Sequence, residues 1–162
     1  MVYSISCTTR SPREGETDGV DYYFITPEEF AKRQREGNFL EWAVVHGHYY
    51  GTPESEVIKN LQEGKDVILE LDVQGAINVK KAFPEAILIF ILPPSEEALK
   101  QRLVSRGTES EESLRIRLDN AAREMKLADI YDHAIINDDV ERAAEELVDI
   151  IMSYRKGERG KI

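Results

Sequence analysis

Short apolar segments rich in β-branched residues alternate with helical patterns along this chain, and this alternation constrains the fold most strongly. Such segments favour strands. The last three are separated by helical patterns, which favours parallel pairing through right-handed crossovers. The chain is therefore predicted to be an α/β protein, with a parallel β-sheet core flanked by helices. The segments are residues 2–6, 67–72, 86–92 and 134–137.

Three helices are predicted in the second half from caps and apolar periodicity. Ser95 begins one of them after the pair Pro93-Pro94. A second carries one apolar stripe over residues 114–128. The third begins at Asp138, with Glu141 three residues later as in a capping box. We expect this last helix to pack on the sheet through residues spaced at i, i+3, i+4 and i+7, namely Val140, Ala143, Ala144, Leu147, Val148, Ile151 and Tyr154.

Residues 8–66 carry a different pattern from the rest of the chain. They begin with many turn-forming residues and continue with short aromatic strands at residues 22–25 and 39–43. A helix that starts at Pro27 separates the two strands. This region is predicted to be a small mixed-β insertion between two core strands.

The composition excludes several classes of partner and location. A net charge of −10 disfavours nonspecific binding to nucleic acid or to an anionic membrane. The longest apolar run, residues 86–92, is far shorter than the ~20 residues of a membrane helix, and residues 1–6 lack the features of a signal peptide. With Cys7 as its single cysteine, the chain cannot form an internal disulfide, and its histidines lack zinc-ligand spacing. We therefore expect a cytoplasmic protein.

A turn after the first strand, residues 6–16, places Arg10 and Arg13 among several hydroxyl groups. Arginine offers a rigid fork of donors to phosphate oxygens, and ligands of open α/β sheets lie at the carboxyl ends of strands. The segment therefore suits an anion. A solvated loop is about equally compatible with the spacing alone.

Two further positions have alternative interpretations. Thr52 follows Gly51, whose lack of a side chain would allow a ligand to approach the backbone, but a helix cap is the favoured role for Thr52 alone. Glu41 lies in an otherwise apolar strand, where an unpaired carboxylate would be costly to bury. It therefore faces water or accepts hydrogen bonds, and water is the simpler expectation.

Two carboxylates close the predicted strand 67–72. Asp72 is a candidate site residue because it stands at the carboxyl end of a strand, and it is equally a candidate helix N-cap. The two roles are compatible. Glu70 shares a face with Asp72 by the two-residue period of a strand, so both could address one ligand.

Several arginines surround a turn at Gly107-Thr108. Most arginines on exposed helices are only solvated. Clustered around a glycine-containing turn, however, they are typical of a mobile lid that closes over polyanionic substrates and stabilises phosphoryl transfer. The residues are Arg102, Arg106, Arg115, Arg117 and Arg123.

Eight segments, in order and at matching spacing over nearly the whole chain, together resemble guanylate kinase. Each alone is a modest signal, but eight in register make chance similarity negligible. They are Ser4-Ile-Ser-Cys-Thr-Thr-Arg-Ser-Pro-Arg-Glu-Gly-Glu16, Gly19-Val-Asp-Tyr-Tyr-Phe24, Phe39-Leu-Glu-Trp-Ala43, Tyr49-Tyr-Gly-Thr52, Leu69-Glu-Leu-Asp-Val-Gln-Gly-Ala76, Ile91-Leu-Pro-Pro-Ser95, Arg102-Leu-Val-Ser-Arg-Gly-Thr108 and Ile136-Asn-Asp-Asp139.

The resemblance implies Mg²⁺-dependent transfer of the γ-phosphoryl group of ATP to GMP, giving GDP and ADP. The guanine would be read by Glu41, Thr52 and Glu70, because carboxylates accept from the ring N–H and the exocyclic amine that adenine lacks. Some family members carry Asp at position 70 and Ser at position 52, which is chemically tolerable. The phosphate of GMP would be held by Ser6, Arg10, Arg13, Tyr22 and Tyr50, with Glu16 orienting their loop.

On the ATP side, the resemblance implies that Asp72 lies near the phosphates and the Mg²⁺ that ATP carries. Arg106 and Arg117 would come from the lid, and Asn137 would lie near the adenine, with Arg106 also contacting ATP. The implied fold is that of the P-loop kinases. One domain, residues 1–162, would comprise a core (1–7 and 67–162), a GMP-binding insertion (8–66) and a lid (about 102–118).

One departure from the family concerns the phosphate loop. The family begins with a strand, a Gly-Lys-Ser/Thr loop and a helix, and the 162 residues contain none of these. The pairs Gly64-Lys65 and Gly160-Lys161 lack the required neighbours. Such a chain alone is expected to show weak or absent turnover, since this loop cradles the ATP phosphates.

Three explanations for this departure stay open: a fragment of a normal kinase, which we favour, a truncated product that still binds GMP, or a sheet completed by another chain. An exposed sheet edge would also favour self-association. The alternative function is a non-catalytic module that binds GMP or phosphopeptides. The guanine-reading residues argue against it, because a peptide reader does not need them.

Overall fold

The computed structural model describes residues 1–105 and 111–157, except the side chains of residues 111 and 113. It forms two compact units, Met1–Ala86 and Ile87–Ile162. The strands of the first unit are β1 (Val2–Tyr3), β2 (Cys7–Thr8), β3 (Tyr23–Phe24), β4 (Phe39–Val45), β5 (His48–Pro53) and β6 (Val67–Ile68). Its helices are α1 (Pro27–Arg35), α2 (Glu54–Gln62) and α3 (Val73–Ala82).

Two sheets organise the first unit. Strands β1 and β6 form a parallel pair. The other sheet is mixed, with the order β3-β2-β5-β4, and β4 and β5 form an antiparallel hairpin. In this hairpin Glu41 lies opposite Thr52 and Ala43 lies opposite Tyr50. Because side chains alternate along a strand, Tyr50 and Thr52 face the same side of the sheet.

Packed side chains fill the space beside Gly51 that its own side chain would take, and the approach of a ligand to its backbone stays a prediction. A Cβ at this position would lie 2.9 Å from the ring of Phe39 and 3.1 Å from the ring of Phe30. The two rings stack with centroids 4.5 Å apart, and Phe30 is almost completely buried. Aromatic side chains of β4 and α1 therefore fill the place that a side chain of Gly51 would take.

We expect Gly51→Ala to lower the free energy of unfolding by about 1–3 kcal/mol, the usual cost of overpacking a filled core. Urea titration followed by circular dichroism measures the change. The double variant Gly51→Ala/Phe39→Leu should recover part of the loss, because leucine removes ring atoms next to the new methyl group. A Gly51→Ala variant as stable as the wild type would contradict this account of the packing.

Several predicted element boundaries in the first unit need correction. Thr52 does not cap α2, because it lies within β5 and the N-cap position belongs to Pro53. The predicted strand 67–72 ends at Ile68, so Glu70 and Asp72 follow the strand instead of sharing one of its faces. Asp72 does cap α3, as expected, because its Oδ1 accepts a hydrogen bond from the Gly75 N–H at 2.8 Å.

The second unit contains the parallel pair β7 (Ile89–Leu92) and β8 (His133–Ile136). Its core consists of Ile135 from β8 with residues of the last helix. Ser95 caps α4 as predicted, since its Oγ accepts a hydrogen bond from the Ala98 N–H at 3.1 Å. The remaining elements are α4 (Glu96–Ser105), α5 (Glu111–Met125), a 3₁₀ turn (Ala128–Ile130) and α6 (Val140–Arg155).

The cap of α6 is Asp139, so the prediction of Asp138 is wrong by one residue. Asp139 Oδ1 accepts from the backbone N–H groups of Glu141 at 3.0 Å and Arg142 at 2.9 Å. The carboxylate of Asp138 instead pairs with the guanidinium of Arg142. Two carboxylates precede this helix, and only tertiary geometry decides which of them turns back to the backbone.

Only part of the predicted apolar face of α6 is buried within its unit. Ala143 and Ile150 are buried, with Leu147 and Tyr154 packed against the same cluster. These positions follow one stripe of the helix. By contrast Val140, Ala144 and Val148 are exposed, because their i, i+4 row lies beside that stripe.

Among the described residues, no helix has the length and apolarity that crossing a membrane requires.

Candidate functional site

Arg10 lies in the turn directly after β2 and is held by several partners. Its Nη2 and Nη1 donate to Glu16 Oε1 at 2.8 Å and Oε2 at 2.9 Å, a bidentate ion pair. Its Nε donates to the hydroxyl of Tyr50 at 3.2 Å, and Nη1 also donates to the Ser11 carbonyl. The guanidinium carbon lies 5.5 Å from the ring centroid of Tyr22. The structure thus brings together four of the residues expected to serve the phosphate of GMP.

Glu16 organises this loop through both of its oxygens. Besides the pair with Arg10, Oε2 accepts a hydrogen bond from the Arg13 N–H at 2.6 Å. The hydrogen bonds from Arg10 and then from the Arg13 backbone lower the pKa of Glu16 to about 2. The side-chain hydrogen bond between Arg10 and Glu16 also raises the pKa of Arg10. The loop therefore closes around an ion pair that stays charged at any physiological pH.

This ion pair predicts acid sensitivity of the loop. Because the folded-state pKa of Glu16 is about 2 and its ordinary value is 4.5, the stabilisation is fully present above pH 4.5 and is lost as pH falls towards 2. The thermal midpoint of the wild type should therefore fall more steeply between pH 6 and pH 2 than the thermal midpoint of Glu16→Gln. Parallel pH profiles for the two proteins would contradict the prediction.

The other two residues expected at the phosphate are less engaged. Arg13 contributes its backbone N–H to Glu16, while its side chain is exposed. Ser6 is half-buried, and its carbonyl accepts a hydrogen bond from the Tyr23 N–H at 2.9 Å. Tyr22 and Tyr50 meet edge to face with centroids 5.8 Å apart. The two tyrosines and Arg10 thus form one cluster, and Arg13 and Ser6 flank it.

A separate pocket of about 530 Å³ lies against β4 and the start of α3. Glu41 is only 7% exposed there, so the expectation that it faces water is wrong. Its Oε1 accepts a hydrogen bond from the Thr52 hydroxyl at 2.7 Å. Burial raises the pKa of Glu41, and the nearby charge of Asp72 raises it further. The pocket is lined by Phe39, Leu40, Glu41, Trp42, Ala43, Val44, Asp72, Gln74 and Asn78.

Glu70 and Asp72 occupy positions different from those expected. Asp72 lines the pocket of Glu41, whereas Glu70 is exposed and accepts a hydrogen bond from the Tyr3 hydroxyl at 2.5 Å. Burial and then the charge of Glu70 raise the pKa of Tyr22. The chain leaves the strand after Ile68, so these carboxylates diverge.

The sequence patterns assign no site role to three residues that the structure places at these sites. Tyr3 holds Glu70 from β1, and no local motif marks it. Gln74 and Asn78 line the pocket from α3, where the Gln74 amide donates to Asn78 Oδ1 at 3.2 Å. Their i, i+4 spacing after the predicted cap Asp72 is the signal that would have identified them.

The second unit carries the residues expected on the ATP side. Arg117 lies on α5 and is partly buried. Asn137 follows β8, its N–H donates to the Leu92 carbonyl at 2.7 Å, and its own carbonyl accepts from Arg102 Nη2 at 2.7 Å. Arg106 and the turn at Gly107-Thr108 lie outside the described residues.

An arginine held in place for an anion, and a buried carboxylate in a pocket, suit an α/β protein that binds a nucleotide. The family model for guanylate kinase matches residues 1–154. A guanylate kinase of Caldanaerobacter subterraneus subsp. tengcongensis is 53% identical over 94% of this chain and 74% of its own length. That of Thermotoga maritima is 49% identical over 96% of this chain and 75% of its own length. The chain belongs to the guanylate kinase family.

The fold supports the same assignment. The crystal structure of guanylate kinase from Anaplasma phagocytophilum superimposes with a TM-score of 0.82 at 36% identity, covering 94% of this chain and 75% of that one. The predicted α/β class and the resemblance are thereby confirmed. The chain spans about three quarters of the length of these relatives.

Proposed function

We propose that this chain is an ATP:GMP phosphotransferase, which uses Mg²⁺ carried by ATP and binds GMP across the first unit. One observation carries the GMP assignment: the hairpin presents both ends of the site on one face. Tyr50 contacts Arg10 and Thr52 contacts Glu41, and the two β5 residues lie about 7 Å apart along the strand. A nucleoside monophosphate would place its phosphate at the first pair and its base at the second.

The buried carboxylate of Glu41 would determine the selectivity for guanine over adenine. Guanine presents a ring N–H and an exocyclic amine on one edge, and an ionised Glu41 can accept from both. Adenine has no ring N–H there, so it would leave a buried carboxylate without its partner, which sites of this kind reject strongly. Thr52 holds Glu41 in place. We propose that Asp72, which lines the same pocket, also faces the guanine.

The phosphate of GMP would be bound by the cluster around Arg10. Arginine donors suit phosphate oxygens, and the bond to Glu16 fixes the guanidinium before the ligand arrives. Glu70, which accepts a hydrogen bond from the Tyr3 hydroxyl, stays a proposed guanine ligand on the basis of the resemblance. The proposed phosphate ligands are Ser6, Arg10, Arg13, Tyr22 and Tyr50, with Glu16 orienting the loop.

The ATP side is proposed from the resemblance. Arg106 and Arg117 would neutralise the charge of the transferring phosphoryl group, and Asn137 would lie near the adenine. The resemblance implies that Asp72 also lies near this Mg²⁺, and its carboxylate oxygens are of the kind that Mg²⁺ binds. The ion, when bound with ATP, neutralises phosphate charge. Transfer is direct, without a covalent intermediate on the protein. We propose the division into core, GMP-binding insertion and lid on the same basis.

Calorimetric titration of the 162-residue chain with GMP and with AMP tests the GMP site. We expect GMP to bind and AMP to bind far more weakly, since only guanine satisfies Glu41. Equal affinity for the two nucleotides would contradict the proposal. Binding of a phosphopeptide in place of GMP would instead support a non-catalytic module.

A coupled assay of GMP-dependent ADP production, on a sample of verified mass, tests turnover. The 162 residues contain no Gly-Lys-Ser/Thr phosphate loop, so this chain alone is expected to turn over very slowly. Rapid turnover would show that other residues hold the ATP phosphates. A longer form that carries the loop should produce ADP, and its failure would contradict the enzymatic proposal.

We also propose a cytoplasmic location and self-association through a sheet edge. Cys7, the single cysteine, is buried and reduced, which suits a reducing compartment. Within the part of the second unit that the structure describes, β7 pairs on one edge with β8, and Ile91 of β7 is 48% exposed. Sedimentation velocity over a range of concentrations checks for association. A concentration-independent monomer would exclude it.

A further inference from the structure

Gly75 is buried in the first turn of α3, where glycine is an unfavourable residue. Among the residues that the structure describes, six other glycines adopt positive φ angles, which explains their presence, but Gly75 does not. Its backbone conformation is available to any residue. The reason for a glycine here must therefore be space.

The space next to Gly75 is filled by carboxylates. A Cβ built on Gly75 would lie 2.7 Å from Glu41 Oε2 and 3.1 Å from Asp72 Oδ1. Both distances are shorter than ordinary van der Waals contacts. The Gly75 N–H also donates to Asp72 Oδ1 at 2.8 Å. The carboxylates of Glu41 and Asp72 thus both pack against Gly75, in the space that a side chain would otherwise fill.

Each carboxylate oxygen of Glu41 has its own neighbour. Oε1 accepts the hydrogen bond from Thr52 at 2.7 Å, and Oε2 rests against Gly75. A methyl group on Gly75 would push Oε2 away, which rotates or withdraws the whole carboxylate. The atom that yields is the end of a side chain and not backbone. A substitution at Gly75 is therefore expected to move Glu41 while leaving the helix folded.

We propose that Gly75 is a positioning residue that determines guanine selectivity, because its missing side chain allows Glu41 to present its carboxylate to the base beside Asp72. This inference rests on the proposed function of the same pocket. Gly75 acts through Glu41 and has no role at the phosphate of GMP. Its replacement should consequently weaken recognition of the base and leave recognition of the phosphate unchanged.

Calorimetric titration of Gly75→Ala with GMP and AMP tests the proposal. We expect GMP affinity to fall by about tenfold or more, the effect of losing a hydrogen bond to a charged group. AMP affinity should change by less than about twofold, since AMP shares the phosphate but does not satisfy Glu41. Lys81→Ala, an exposed change near the end of the same helix, is the matched control and should alter neither affinity.

A double variant separates positioning from a structural effect. In Glu41→Ala, the subsequent change Gly75→Ala should have a much smaller effect on the GMP-to-AMP ratio than in the wild type, because the carboxylate nearest the new methyl group is gone and only Asp72, which the Gly75 N–H still holds, remains beside it. An unchanged ratio in the single variant Gly75→Ala would overturn the inference while leaving the proposed function intact. A wild-type protein that does not prefer GMP would overturn both.

Circular dichroism of the variants shows whether a loss of binding results from a loss of folding. If Gly75→Ala alone does not fold, the proposal requires Glu41→Ala/Gly75→Ala to fold as well as Glu41→Ala. Rescue in the double variant would support the clash with Glu41. A double variant that also fails to fold would place the clash elsewhere and overturn the inference.

Discussion

Arg10→Ala is expected to weaken GMP binding by about two orders of magnitude, or about 3 kcal/mol, the upper range for hydrogen bonds to a charged group. The guanidinium is the cation that both Tyr50 and Glu16 hold in one orientation, so its donors are already aligned before phosphate binds. Removing it also leaves Glu16 as an acid facing the incoming dianion. Calorimetric titration with GMP measures the loss.

Two comparisons make this result interpretable. Arg35→Ala, an exposed change at the end of α1, removes the same charge away from the cluster and should leave the GMP dissociation constant unchanged. The thermal midpoint of Arg10→Ala should also fall at pH 7, because the ion pair with Glu16 stabilises the loop, so GMP binding is measured well below that midpoint. An unchanged GMP affinity in Arg10→Ala would remove this residue from the site.

Glu41→Gln is expected to lower the preference for GMP over AMP by about 3–5 kcal/mol, since two charge-assisted hydrogen bonds to guanine are replaced. The amide that replaces one oxygen is a donor and faces the donors of the base. AMP affinity should change little. Competition titrations with both nucleotides measure the ratio, and Glu85→Gln, an exposed substitution of the same shape, is the control. A ratio that stays constant would contradict base recognition by Glu41.

The same substitution should stabilise the free protein at pH 7. Burial raises the folded-state pKa of Glu41 above its ordinary value of 4.5, so the native state holds the proton more tightly than the unfolded chain. The ionised acid therefore destabilises the native state increasingly as pH rises above 4.5. Glutamine removes that cost and the repulsion from Asp72. The thermal midpoint of Glu41→Gln should exceed that of the wild type at pH 7, and the gain should shrink below pH 4.5.

Opposite signs for stability and selectivity would identify Glu41 as an acid retained for binding. A buried carboxylate is maintained against its desolvation cost only when something else requires the charge. Loss of both stability and selectivity in Glu41→Gln would instead show that the acid supports the hairpin through its bond to Thr52.

The sequence by itself determined the class of fold and the chemistry of the site. Alternation of apolar segments with helical patterns is local information, since strand and helix periods follow from backbone geometry alone. The parallel pair β7–β8 follows from it. The caps at Ser95 and Asp72 are also local, because the side chain and the N–H groups that it accepts lie within one turn.

The tertiary structure alone decided which residues of distant segments meet. No local pattern distinguishes Glu41 facing water from Glu41 buried against Thr52, since this depends on which face of the hairpin α3 covers. No local pattern shows that the strand ends at Ile68 either. Because it ends there, Asp72 lies at the Glu41 pocket and Glu70 contacts Tyr3. The sequence identifies the candidate acidic residues, but their contacts depend on the path of the backbone, which only the tertiary structure shows.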